Sequence, residues 1–521
     1  MFKRTMSLLS LLMILAVVLA ACGGTPAAPT DSAQAGASAA PAASEAPAAA
    51  PASPEASAAP EASEPSPSPE ASTAASPEAS AAPPTPTPVN VSTFDASAAQ
   101  GRTVVRWFVG LGAGTQPEQI TKQQEIVEEY NKSQDKLYLA LDIVGNETAY
   151  EVLATQIAAN NAPDIIGPVG YRGISSFQDQ ILDLSDLIQK NNVDLSEYDE
   201  SLIKFYNVEG QGQLGLPFAV YPSFLFINKD LFDEADLPYP PQKFGEQYEG
   251  KEWNMDALRE LGLKLTVDEN GNDATSPDFN PDKIVQFGFV PQWGTDPRAE
   301  GTFFNAASIV SEDGKAQIPE EWTTAWKWFH DGMFSKERFI PNQAYLDSTL
   351  LSGNAYNSGN VAMAFTHLWY TCCVDKVENW DLAVVPSYNG EHTAKLHADT
   401  FSILKTTKNP DAAFEVLQSL LNNEDLLQLY GAFPAKKSLQ DKFIAGLDEK
   451  FAPNKVNWQV AIDSLQYVDN PNHEAAMPNF KESADAITAF GTLYHSQADV
   501  DIEAEADKLK QELQTIFDKS N

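Results

Sequence analysis

The chain predicts an α/β fold of two lobes, each a mainly parallel sheet flanked by helices. Three observations carry this expectation. Strand and helix patterns alternate from Thr103 onward, the rhythm of parallel strands joined by crossover helices. About 420 residues follow Arg102, more than one compact core accommodates. Only three cysteines occur in 521 residues, which leaves no disulfide framework and no paired-cysteine metal knuckle, so the fold must rest on burial.

The elements follow in order. Residues 103–109, Thr-Val-Val-Arg-Trp-Phe-Val, are β-branched and aromatic and read as a buried strand. A glycine-rich turn comes next, at 110–114. Pro117 opens a helix through about Asn131, with Ile120, Ile126, Val127 and Tyr130 toward the core. Residues 137–144 are a second strand, 150–159 a helix, and 162–166 begin a third strand. Ligands bind outside the carboxyl ends of strands in such sheets, which points to turns 110–114 and 167–172 as a site. Turn 110–115 nearly matches a dinucleotide fingerprint, but its last glycine is missing and no acidic residue ends the next strand as required. No nucleotide or other cofactor is therefore expected.

The amino terminus reads as an export signal. Lys3 and Arg4 precede a short apolar run, and Leu19-Ala20-Ala21 leads into Cys22. The run is too short to span a bilayer comfortably. The placement of Cys22 looks like a bacterial lipoprotein signal, in which the cysteine is acylated and becomes the mature terminus. That resemblance implies a signal peptide at 1–21, lipidation at Cys22, and a location on the outer face of the cell membrane. Residues 22–99 are almost entirely Ala, Pro, Ser and Glu in their first two thirds, with the octapeptide at 53–60 repeated at 76–83. Such a stretch cannot bury enough apolar area to offset its chain entropy, and it is expected to be a disordered tether. The formal net charge of −38 argues against a nucleic-acid partner.

Residues 216–221, Leu-Pro-Phe-Ala-Val-Tyr, followed by 225–232, Leu-Phe-Ile-Asn-Lys-Asp-Leu-Phe, resemble the crossing segment of family 1 extracellular solute-binding proteins. These are the sugar-binding proteins of ABC importers, of the maltose and maltodextrin type. Further matches lie at 163–166, 358–365 leading to Trp369, 380–386, 409–414, 433–435 and 477–480. Together they cover nearly all of 102–521.

The resemblance implies a two-lobed clamp of the type II periplasmic-binding-protein kind. Hinge strands would cross at 217–222 and 387–396. Lobe 1 would take 102–218 and 396–442, and lobe 2 would take 219–395 and 443–521, within a binding domain of 100–521. It further implies a monomeric, non-enzymatic receptor that captures an oligosaccharide and delivers it to the transmembrane subunits of a permease. Two other readings stay open on the residues: a lipid-anchored glycoside hydrolase, and a sugar sensor or adhesion module without transport.

Sugar binding asks for aromatic rings against the CH-rich sugar faces and for carboxylates, amides or Arg on the hydroxyls. The candidates are Trp107 and Gly112 at the end of the first strand, Tyr171 and Arg172 after the third, and Phe218 and Tyr221 in the first crossing. Trp293, Trp369, Tyr370, His397 and Asp399 complete the set. By the resemblance, Trp369 aligns with a stacking tryptophan of maltodextrin binders, whereas Tyr221 and Ile487 depart from the maltose pattern. Trp322, Trp326 and Phe329 read as a helix packing face. Cys372 and Cys373 are adjacent, and either a strained disulfide or two buried thiols is open. No metal site is expected. His473-Glu474 begins an incomplete HExxH, and Asp268, Asn270 and Asn272 lack the glycine and closing Glu of a calcium loop.

Overall fold

The structure is a computed structural model describing residues 90–520, except 209, 293–296, 352–353, 468 and 470–476. The expected signal, Cys22, the tether up to residue 89, Trp293 and His473-Glu474 lie outside the described residues.

Strand β1 (Asn90–Ser92) is the first element among the described residues. It pairs antiparallel with residues 142–144, and the Ser92 hydroxyl donates to Asp142 Oδ1 at 2.7 Å. Ala99 packs on Tyr138 and Ala140. Described strand pairing thus reaches back to Asn90, ahead of residue 100 where the binding domain is expected to begin.

Strand β2 (Thr103–Val109) is followed by α1 (Pro117–Ser133), β3 (Leu137–Val144), α2 (Ala149–Ala158), β4 (Ile165–Val169) and α3 (Tyr171–Phe177). Pro117 sits in the first turn of α1, where its missing N–H costs nothing. β2 lies between β3 and β4 and is parallel to both, so the turns after β2 and β4 emerge on one edge. All eight residues of β3 are buried, as expected for a strand covered on both faces.

Strand β5 (Leu216–Asn228) is thirteen residues long and buried throughout. Strand β6 (Ile284–Pro291), helix α4 (Pro297–Thr302), helix α5 (Glu320–Phe334), β7 (Val361–His367), β8 (Trp380–Ala383) and β9 (Leu396–Ile403) follow. The sheet order is β1-β3-β2-β4-β9-β5-β7-β6 before a short edge pair at Val267–Asp268. β5 joins two halves of this sheet. Its residues 216–222 pair with β9, its residues 223–227 pair with β7, and 225–228 also take β8. Parallel pairing occupies the interior of each half, β2 with β3 and β4 in one and β6 with β7 in the other, and antiparallel strands make the junction.

Helix α6 (Glu424–Tyr430), strand β10 (Phe433–Pro434) and helix α7 (Phe480–Ser496) complete the frame of the site. Trp322, Trp326 and Phe329 of α5 are buried, and Trp326 meets Phe490 of α7 at 4.6 Å between ring centroids. Glu300 of α4 is fully buried and takes Tyr494 and His495 as partners, the latter at 2.8 Å. This polar tie fixes α7 against α4. The far end of α7 reaches α3, where Phe480 lies 5.4 Å from Tyr171 and Asp485 pairs with Arg172 at 3.7 Å.

Candidate functional site

The turns after β2 and β4, the middle of β5, the start of β9 and the turn after β7 enclose a cavity of about 740 Å³. That size lies within the range of small-molecule sites, about 300–1,000 Å³.

The first wall is the glycine turn after β2. Gly110 has φ +131, and a Cβ there would sit 2.0 Å from the Val144 carbonyl oxygen, so only glycine lets the chain turn this close to β3. Gln119 Oε1 accepts from the N–H groups of Gly114 and Gln116 at 3.1 and 3.3 Å. Gln123 Nε2 donates to the Gly114 carbonyl at 2.7 Å, and Gln123 Oε1 accepts from the Tyr430 hydroxyl at 2.7 Å. Tyr150, opening α2, donates to the Leu111 carbonyl at 3.1 Å, and the Arg172 guanidinium lies 5.1 Å from the Tyr150 ring centroid. The turn is thus pinned from two helices, α1 and α2.

The second wall is carried by β5, β9 and the turn at Leu368–Cys372. Tyr221 stands directly across the antiparallel ladder from His397, and Asp399 lies two residues further along the same face. The Tyr221 hydroxyl donates to Asp399 Oδ2 at 3.3 Å. Burial first, and the Asp399 charge second, push the Tyr221 phenol well above its usual range. The same two causes act on Tyr430. Both phenols are therefore neutral hydrogen-bonding groups at any ordinary pH.

The Trp369 indole stacks on the His367 ring at 4.1 Å and 13° and lies 5.2 Å from Tyr221 and 5.0 Å from His397. One indole face is covered by His367, and the side chain stays half-buried. Three residues on, Cys372 and Cys373 are joined in a disulfide that also lines the cavity.

The structure therefore brings Gly112, Arg172, Tyr221, Trp369, His397, Asp399, Cys372 and Cys373 to one cavity. Other candidates fall elsewhere. Trp107 is fully buried in β2, with its indole N–H on the Gly167 carbonyl at 2.6 Å. Phe218 is core, packed on Phe401 at 5.0 Å and Tyr430 at 6.3 Å. Tyr370 turns inward, where its hydroxyl bonds Asn354 and its ring meets Phe226 at 5.3 Å. Tyr171 points to a separate groove shared with Phe480. For Tyr171 and Tyr370 the adjacent residue, Arg172 or Trp369, takes the cavity-facing place instead. Gln116, Asn146 and Tyr150 also line the cavity and follow strand ends, a signal the sequence offered. Asn354 and Tyr430 come from distant segments and carried no such signal.

Asp268 accepts from the backbone N–H groups of Asn270, Asn272 and Asn280 at 2.8, 3.0 and 2.9 Å, and from the Asn272 amide at 3.2 Å. Its oxygens are committed to a turn, not offered to a cation. Among the described residues no group of three His, Cys, Asp or Glu side chains is placed to hold a metal ion. Among the described residues lining the cavity, Asp399 is the one carboxylate.

The sequence matches the family model for bacterial extracellular solute-binding protein over residues 113–426. Comparison with the curated proteins gave no match. Solved structures share the fold at low identity. The ABC substrate-binding protein Lmo0181 from Listeria monocytogenes, in complex with cycloalternan, is 18% identical with a TM-score of 0.63, over 80% of this chain and 98% of that one. The GacH receptor of Streptomyces glaucescens, studied with acarbose, is 14% identical with a TM-score of 0.61, over 81% and 100%. The sugar-binding protein MalE from Xanthomonas citri is 16% identical with a TM-score of 0.60, over 80% and 98%.

Proposed function

Because the chain belongs to the bacterial extracellular solute-binding proteins, we propose that it is the sugar receptor of an ABC importer, held to the membrane by lipid on Cys22. The observation that carries the sugar reading is the composition of this cavity. Half-buried Trp369, next to Tyr221 and the paired sulfurs, supplies apolar faces, while Asp399, Arg172, His397 and Asn146 supply hydrogen-bonding groups. That pairing of ring and polar rim matches the two surfaces of a sugar. Three of the structural neighbours named above concern sugars or sugar analogues in their own right.

The path of β5 supports the receptor reading, since it pairs within both halves of the sheet. In such a receptor, bending at 217–222, with a second crossing at 387–396, would let one half swing without unfolding either. On this reading lobe 1 is 102–218 with 396–442, lobe 2 is 219–395 with 443–521, and the closed clamp is what the permease subunits receive. Glycoside hydrolysis takes two carboxyl groups flanking the bond, about 5–10 Å apart. The described lining offers one.

A thermal-shift screen of the mature chain against oligosaccharides, monosaccharides, polyols, peptides and polyamines tests the proposal. A ligand that binds only the folded state raises the melting temperature by mass action. We expect the largest rise with an oligosaccharide, with no turnover on prolonged incubation. A rise with peptides or polyamines alone, or release of monosaccharide, overturns it.

A further inference from the structure

Polar groups of Thr371 and Cys373, in the turn that carries Trp369, are already committed within the protein. The Cys373 N–H donates to the Tyr370 carbonyl at 2.9 Å, and the Cys373 carbonyl accepts from Asn354 Nδ2 at 3.0 Å. The Thr371 hydroxyl donates to the Leu368 carbonyl at 2.9 Å, and the Thr371 carbonyl accepts from Lys450 Nζ at 2.8 Å. From this stretch Trp369 and the disulfide-bonded pair Cys372 and Cys373 line the cavity. Disulfide sulfur is apolar, polarizable and a weak acceptor at best. Cys372 is exposed and Cys373 half-buried, so the pair is open to a bound molecule and to a soluble reductant.

Resting on the sugar reading above, we propose that the Cys372–Cys373 disulfide is itself a binding element, an apolar and redox-removable face that packs on the CH-rich side of a bound sugar beside Trp369. The bond between adjacent residues adds almost nothing to chain stability through loop closure, because the loop is minimal. It does hold two sulfurs as one continuous surface. Reduction by a dithiol separates them. A thiolate of the reductant attacks one sulfur and displaces the other, and the reductant's second thiol then resolves the mixed disulfide. Two electrons and two protons pass from the dithiol, which leaves as a cyclic disulfide, and Cys372 and Cys373 become thiols. Each side chain then takes its own rotamer, and the ridge is lost. Affinity for sugar should thus depend on redox state, while the fold should not.

The test uses the mature chain and a fixed panel of maltotriose, cycloalternan, acarbose and ribitol. Binding is followed by calorimetry with and without dithiothreitol, and the free thiols are counted by alkylation and mass spectrometry. The expected result is no alkylatable thiol at Cys372 or Cys373 before reduction and two after it. Affinity for the best-bound panel member should fall at least fivefold on reduction, with the melting temperature of the unliganded protein unchanged. The Cys372→Ala/Cys373→Ala variant should match the reduced protein and lose its response to dithiothreitol, which covers the case in which reduction disturbs the fold. Two alkylatable thiols in the native protein, or equal affinity in both redox states, overturns the proposal and leaves the sugar reading standing. Binding of no panel member in either state overturns the sugar reading and this inference with it.

Discussion

Gly431 controls where Trp369 sits, and its replacement by Ala should move the site. It follows α6, in the left-handed region at φ +56. A Cβ there would lie 2.5 Å from Thr371 Oγ1 and 3.0 Å from both the Leu368 carbonyl oxygen and the Trp369 Cα. Two of these three atoms are backbone, and the Thr371 hydroxyl is already committed to Leu368. The neighbour cannot yield without shifting the whole turn. Holding Ala in the left-handed region costs about 1–2 kcal/mol. Overpacking a fixed contact adds about 1–3 kcal/mol. The chain can absorb this as lost stability or by pushing the Leu368–Cys372 turn away, and both are measurable. Urea unfolding of Gly431→Ala should show a total loss of about 2–5 kcal/mol when the turn holds. Where the turn gives way, the stability loss shrinks and sugar affinity drops instead. Gly431→Asn separates the causes, because Asn tolerates the left-handed region but brings the same Cβ. It should recover part of the conformational cost and none of the steric cost. If Gly431→Ala changes stability by less than about 0.5 kcal/mol and leaves sugar affinity untouched, the close approach of α6 to the Trp369 turn is not what positions the indole.

Three further outcomes are expected. Trp369→Ala should weaken sugar binding at least tenfold, about 1.4 kcal/mol, as read by calorimetry on a variant whose circular dichroism is unaltered; unchanged affinity removes the indole from the site. Burial alone would raise the Asp268 carboxyl, but its four N–H donors outweigh that and hold it at about 2, down from 3.8. A depressed carboxylate contributes stability that is complete above the unfolded value and is lost as pH falls toward the folded one, so the wild type should weaken from pH about 4 to 2 more steeply than Asp268→Asn; parallel acid-unfolding curves would refute this. Limited proteolysis of the mature chain should stop near Asn90 rather than near Arg102, because β1 is paired to β3; an N-terminal sequence beginning at Arg102 would count against that pairing in solution.

The order of elements in the first half of the chain is legible in its residues alone. Strands β2 and β3 are apolar runs of β-branched and aromatic residues, the intervening helix opens on Pro117, and Gly110 and Gly114 mark a turn that no other residue type would fit as well. Local steric rules decide such features, so they are visible within a window of ten residues. The same holds for the mostly apolar run of β5 and for the adjacency of Cys372 and Cys373. Tertiary structure alone decided which aromatics reach the cavity. Trp107 and Trp369 both occur near strand ends, yet one is sealed against Gly167 and the other stands over His367. Trp369 and Tyr370 are neighbours, and their fates are opposite. Asn354 behind the disulfide and Tyr430 across from Asp399 are joined to the site by contacts between distant segments. Side-chain alternation tells that two residues face opposite ways, but only long-range packing tells which of those ways opens onto the cavity.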